Sequence, residues 1–79
     1  MKKKIAILGS TGSIGKSTLS VVSNNINDFE IILLSTNRNI KEINKQCKKF
    51  KPRFVIINNV DSYKKFLRLN NHNIKVFNS

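Results

Sequence analysis

The chain has 79 residues, 39% of them hydrophobic and 24% charged, and its 15 Lys and Arg against 4 Asp and Glu give a formal net charge of +11. That length holds at most one small domain, which buries only ~60% of the surface its unfolded form exposes, and the composition fits neither a disordered segment nor a membrane span. A single cysteine excludes an internal disulfide and suits a reducing compartment.

The start, Met1-Lys2-Lys3-Lys4 before Ile5-Ala6-Ile7-Leu8, has the order of a signal peptide. Its apolar run stops at Gly9, short of the ~7–15 residues of an h-region. A glycine turn follows at once, which also speaks against a transit peptide. The expected location is therefore cytoplasmic, with no membrane partner. Lys4 to Leu8 reads as strand one, and its continuous apolar character is that of a parallel strand covered on both faces.

Glycines then recur at 9, 12 and 15, a G-x-x-G-x-x-G spacing between a strand-like and a helix-like run. Gly9 permits a sharp turn, Gly12 permits close approach of the backbone to a pyrophosphate, and Gly15 lets the helix pack closely on the strand. Ser10, Thr11 and Ser13 add hydroxyl donors, with Ser13 as a candidate N-cap. A helix start of this kind presents unpaired N–H groups and a positive dipole end to an anion. A P-loop is the rival reading, because Gly15-Lys16-Ser17 resembles the end of G-x-x-x-x-G-K-[ST]. Counting back from Gly15 places Ser10 where that motif needs glycine, so the dinucleotide reading ranks first. A bare βα turn without ligand ranks lower, since three evenly spaced glycines cost chain entropy without improving packing.

Helix one is expected from about Ile14 to Ser23, with Ile14, Thr18, Val21 and Val22 as its buried stripe. Asn24 and Asn25 should end it, since Asn tolerates the left-handed conformation. Phe29 to Ser35 reads as strand two. An NAD site usually carries an acid at the end of this strand for the ribose hydroxyls. Here Thr36-Asn37-Arg38-Asn39 has none, and Arg38 offers a planar fork to a 2′-phosphate, which favours NADP.

Helix two spans Ile40 to Phe50, with Ile40, Ile43, Cys47 and Phe50 on one face. Cys47 reads there as a small core residue, not a nucleophile. Pro52 stops the helix and should hold the preceding residue extended. Strand three is Arg53 to Ile57. A short helix from Asp61 to Leu69 follows, with Asp61 as its cap and Tyr63, Phe66 and Leu67 facing inward. Asn70 to Asn73 form a polar loop in which His72 is a solvent-exposed histidine, and Ile74 to Phe77 start a fourth strand. Strands alternating with helices indicate an α/β fold built on an open parallel sheet. Right-handed crossovers should set strand two beside strand one and strand three outside strand two.

Reactive chemistry is absent. Asp28, Glu30, Glu42 and Asp61 are scattered, one His stands alone, and Ser10, Ser13 and Ser17 have no base partner in the sequence. The positive charge passes a screen for nucleic-acid binding. However, the basic residues are scattered instead of forming one stripe, with Lys48-Lys49 with Lys51 and Lys64-Lys65 as the only local clusters after the start, and no aromatic platform accompanies them. Biased composition explains this better than a nucleic-acid function. The charge would still draw in a polyanionic cofactor over a salt-sensitive range.

Gly9-Ser10-Thr11-Gly12-Ser13-Ile14-Gly15 with Ser17-Thr18-Leu19 resembles the N-terminal signature of 1-deoxy-D-xylulose 5-phosphate reductoisomerases. The likeness continues through Asn37-Arg38-Asn39, Gln46-Cys47 and Phe50-Lys51-Pro52-Arg53. Asn37 departs from the family, which commonly has a small residue such as Gly there. The resemblance implies that residues 1–79 are the N-terminal part of a Rossmann-like NADPH-binding domain, incomplete as it stands. It implies cofactor contacts from Thr11, Gly12, Ser13 and Ile14, with Asn37, Arg38 and Asn39 on the adenosine side. It further implies an NADPH-dependent oxidoreductase of isoprenoid biosynthesis, which converts its sugar-phosphate substrate into 2-C-methyl-D-erythritol 4-phosphate. That enzyme uses a divalent metal, Mn or Mg, and is a homodimer. The family's metal and substrate residues lie beyond position 79, so no catalytic residue is assigned and the 79-residue chain alone is expected to be inactive.

Overall fold

Short runs of β-branched and aliphatic residues alternate with amphipathic segments, and each run becomes a strand. The computed structural model describes residues 2–69 and 73–79. Strands β1 (Lys3–Ile7), β2 (Phe29–Thr36), β3 (Phe54–Ile57) and β4 (Lys75–Phe77) form one parallel sheet in the order β1-β2-β3-β4. Helices α1 (Ser13–Asn24), α2 (Ile40–Phe50) and α3 (Val60–Leu69) fill the three connections. The alternation, the strand neighbours and the bounds of α2 agree with the sequence reading.

Every crossover steps in the same direction across the sheet. Right-handed connections therefore place all three helices on one face. That face buries Ile7, Ile31, Leu34, Val55 and Ile57 against Leu19, Val22, Ile43, Cys47 and Phe66. Register explains why Ile31 and Leu34, three residues apart, both point inward. Pairing jumps from Ile5↔Ile31 to Ala6↔Leu33, so Ile32 is an extra residue that shifts the side-chain alternation of β2. On the opposite face the register aligns Ala6, Leu33 and Phe54 in one row, and Ile56 with Phe77 in the next. These side chains are half-buried or exposed, and the Phe54 and Phe77 rings lie 6.1 Å apart at 38°. Among the described residues no helix covers this face.

Several expectations are corrected. β1 is an edge strand with only Ile7 fully buried, not a strand covered on both faces. The buried stripe of α1 is Gly15, Leu19 and Val22, while Ile14 is 85% exposed, Val21 is 59% exposed and Thr18 is exposed too. Gly15 sets this rotation, because a Cβ there would stand 2.6 Å from Ser10 Cα. The helix can approach the turn only along its glycine side. Asn25 ends α1 without a left-handed conformation (φ −132°, ψ 39°); its backbone N–H donates to Val22 O and its side chain to Val21 O, each at 2.9 Å. Lys51, expected to be extended before Pro52, is left-handed (φ 50°, ψ 58°) and closes α2 by donating to Cys47 O. Asn59, not Asp61, caps α3, its side-chain oxygen accepting from Ser62 N at 3.0 Å. Phe66 is buried and Tyr63 half-buried as expected, but Leu67 is exposed. His72, with Asn70 and Asn71, lies outside the described residues.

Candidate functional site

The glycine turn leaves β1 at its carboxyl end, beside the carboxyl end of β2, the edge of a parallel sheet where ligands bind. Gly9 has φ +67°, a left-handed value that glycine adopts freely and that starts the turn. Gly12 N donates to Gly9 O at 3.1 Å, and Lys16 N donates to Gly12 O as the first helical bond. Gly12 is the N-cap of α1, in extended backbone (φ −81°, ψ 174°), so the expected cap Ser13 is instead the first helical residue. No side chain caps α1 and its first turn holds no acid. Its leading amides are left without a side-chain acceptor, the donor set that a diphosphate requires.

Behind the turn lies a buried polar lattice. Gly9 N donates to Ser35 Oγ at 2.8 Å, and Ser10 N donates to Ser35 O at 2.8 Å. Ser10 Oγ donates to Gln46 Oε1 at 2.7 Å, with Ser35 O a second acceptor at 3.2 Å. Gln46 Nε2 returns a bond to Ser10 O at 3.0 Å and a second to Glu42 Oε2 at 3.2 Å. The Thr11 and Thr36 hydroxyls are 2.7 Å apart, and Thr36 Oγ1 also accepts from Asn39 N at 3.3 Å. Among the described residues every buried side-chain N or O has a partner. Thr36 thus brings together two groups of residues that the sequence reading kept separate, the turn at Thr11 and the segment at Asn39.

Asn37, Arg38 and Asn39 are exposed at the end of β2. Asn39 caps α2, its Oδ1 accepting from Glu42 N at 3.1 Å. Asn37 O accepts from Asn59 N and Arg38 O from Ile40 N, which fixes the backbone on either side of the Arg38 side chain. Thr11 is half-buried; Gly12, Ser13 and Ile14 are exposed. A recess of about 480 Å³ beside β1 is lined by Leu8, Gly9, Gly12, Ser13, Ile14 and Thr18. Lys16 does not face it. That side chain lines a separate groove between α1 and α2 with Glu42, Lys45 and Lys49, so the P-loop role is not favoured.

Sequence reasoning missed Ser35, Thr36 and Gln46. Their signal was polar residues where apolar ones belong: Ser-Thr closing an aliphatic strand, and Gln within the Ile43–Cys47 stripe. Burial pushes the Cys47 thiol up to about 12, which confirms a core residue and excludes a ready thiolate. Among the described residues no three His, Cys, Asp or Glu come together to hold a metal, and no helix is long and apolar enough to cross a membrane.

A family model described as 1-deoxy-D-xylulose 5-phosphate reductoisomerase matches residues 5–78. The reductoisomerase of Glaesserella parasuis is 51% identical over 55 residues, which are 70% of this chain and 14% of that protein. The reductoisomerase of Halothermothrix orenii is 51% identical over 59 residues, 75% of this chain and 15% of its relative. A solved reductoisomerase from Zymomonas mobilis, in complex with NADPH, superposes on all of this chain with a TM-score of 0.92 at 26% identity, over 21% of its own length. The chain therefore spans only 14% and 15% of the length of the curated relatives it matches here. With all but a few terminal residues matched, the chain belongs to the 1-deoxy-D-xylulose 5-phosphate reductoisomerase family.

Proposed function

We propose that the chain is the opening part of the NADPH-binding domain of a reductoisomerase. The observation that carries this reading is the glycine turn running into an uncapped, acid-free helix start, with Arg38 at the neighbouring strand end and no acid there. The α1 amides, with Thr11, Gly12, Ser13 and Ile14, hold the cofactor's diphosphate. Arg38, flanked by Asn37 and Asn39, takes the 2′-phosphate of the adenosine half. The donor chemistry fits: amides and hydroxyls converge where no protein anion stands.

NADPH supplies a hydride when bound. This chain's residues bind and orient the cofactor and hold no acid or base for the reaction. The sugar-phosphate substrate and the Mn or Mg ion belong to a catalytic domain that the relatives carry beyond the matched segment, and the carboxylates described here do not fit a metal. The whole enzyme is a cytoplasmic homodimer, and neither a membrane nor a nucleic acid is its partner. The likeness to an NADPH complex supports the cofactor role, and the scattered placement of the basic residues speaks against a nucleic-acid partner.

Titration of the chain with NADPH, NADH and ATP, followed by nicotinamide fluorescence or calorimetry, tests the reading. NADPH should bind at least about tenfold more tightly than NADH, and Arg38→Ala should erase that preference while leaving NADH binding unchanged. Equal affinity for the two nicotinamide cofactors, or preference for ATP that depends on Lys16, would overturn it.

A further inference from the structure

We infer that Gln46 is a positioning residue that clamps the glycine turn onto α2 and thereby fixes both the shape of the turn and its distance from the adenosine side. The inference rests on the cofactor reading above for its purpose, but the clamp itself is a property of the chain without ligand. Gln46 is 5% exposed and Ser10 fully buried, and the two exchange hydrogen bonds across 36 residues of sequence. A side chain on the stripe between Ile43 and Cys47 has only to fill space to complete the core. Gln46 does more, because its carboxamide spends one N–H on Ser10 O and the other on Glu42.

Gripping Ser10 O has a geometric result. The Ser10–Thr11 peptide is a rigid trans plane, so its N–H points opposite to its carbonyl. With the carbonyl held toward α2, the Thr11 N–H is directed away from α2. Ser35 holds the two preceding peptides, Leu8–Gly9 through Gly9 N and Gly9–Ser10 through Ser10 N. The Thr11 amide is thereby oriented before any ligand arrives, the preorganisation that lowers the cost of binding.

The same helix carries the second half of the site. Asn39 caps α2, and Gln46 stands about two turns further along. A helix is rigid over that length, so α2 acts as a spacer between the turn and the Asn37–Asn39 segment. The diphosphate and the 2′-phosphate of one NADPH molecule have to reach both at once, so a turn that drifts from α2 loses their match.

The test uses the 79-residue chain with Gln46→Met, which keeps the volume and removes both bonds to Ser10, Ser10→Ala, which removes the hydroxyl's bond to Gln46 and its weaker one to Ser35 O and leaves the Gln46 bond to Ser10 O, and Ile43→Val as a packing control on the same helix. Amide hydrogen exchange at Ser10 and Gly12, which donate to Ser35 O and Gly9 O, is read together with NADPH affinity and melting. Gln46→Met should speed exchange in the turn and weaken NADPH about tenfold, with Ser10→Ala showing a smaller effect of the same kind. Ile43→Val should lower the melting temperature and leave both turn readouts in place. Wild-type exchange at Ser10 and Gly12 in both Gln46→Met and Ser10→Ala overturns the clamp. Failure of the unmodified chain to bind NADPH overturns the cofactor reading alone, because the exchange data still decide the clamp; a Gln46→Met chain that does not fold leaves the decision to Ser10→Ala.

Discussion

The starts of α1 and α2 stand at neighbouring strand ends and are joined through Thr36. They treat their first amides in opposite ways. At α2, Asn39 accepts a bond from the Glu42 amide, and Glu42 adds a negative charge to the first turn. The same is true of α3, with Asn59 and Asp61. At α1 the cap is Gly12, which has no side chain, and no acid follows. A glycine cap costs only about a few tenths of a kcal/mol against Asn, the missing acid forgoes roughly 0.3–1 kcal/mol more, and a chain this small has little stability to spare. The difference is that α2 is finished by its own residues, whereas α1 keeps its first amides without a side-chain acceptor, as the proposed diphosphate role requires.

Breaking the turn beneath α1 should have the largest effect. Gly15→Ala places a methyl group 2.6 Å from Ser10 Cα and against the Gly9 carbonyl, and both are backbone that cannot rotate aside. We expect a loss of about 2–3 kcal/mol in urea unfolding, together with loss of NADPH binding. An intermediate change inverts the comparison. Gly12→Asp supplies α1 with the cap that α2 already has, and there is room for it, since a Cβ at Gly12 meets only Gly9 O at 3.5 Å. Stability should rise by about 1 kcal/mol while NADPH affinity falls more than tenfold, a pairing of opposite signs that a purely structural glycine would not give. If both fall together, the open helix start has no ligand role.

The smallest effect lies in the core between the two helices. The Cys47 thiol is raised by burial, so the folded state keeps its proton at pH values where the unfolded chain has lost it. Its contribution is therefore complete below the unfolded value of about 8.5 and declines as pH rises toward the folded value of about 12. Melting temperatures measured between pH 8 and 10.5 should fall more steeply for the unmodified chain than for Cys47→Ala. Parallel slopes would show that the thiol is not protected.

Much of this was legible in the residues alone. The glycine spacing placed the turn, and the apolar runs placed four strands and three helices with small errors at their ends. α2 was read to the residue because Pro52 and the stripe Ile43–Cys47 mark it from both sides. α1 was read only in part: Val22 and the close approach of Gly15 hold, whereas Ile14, Thr18 and Val21 face outward and Leu19 was missed. Periodicity counts Ile14 and Val21 as core because they are apolar, whereas the contact that decides the rotation is made by Gly15, which a hydrophobicity pattern cannot register. Gln46 and Thr36 escaped for a related reason. A polar residue at a buried position becomes informative only when its partner is known, and their partners Ser10 and Thr11 lie far off in sequence.

The uncovered face of the sheet carries a colloidal consequence. Ala6, Leu33, Phe54, Ile56 and Phe77 offer a flat apolar surface on which two molecules can stack, and β1 ends the sheet with an open row of backbone groups. What holds such molecules apart in dilute buffer is their shared charge of +11, with Lys2, Lys3 and Lys4 massed at the start of the open edge. That repulsion reaches only about 8 Å at physiological ionic strength and shortens as salt is added. Solubility of the isolated chain should therefore fall as salt is added, which light scattering against ionic strength would show.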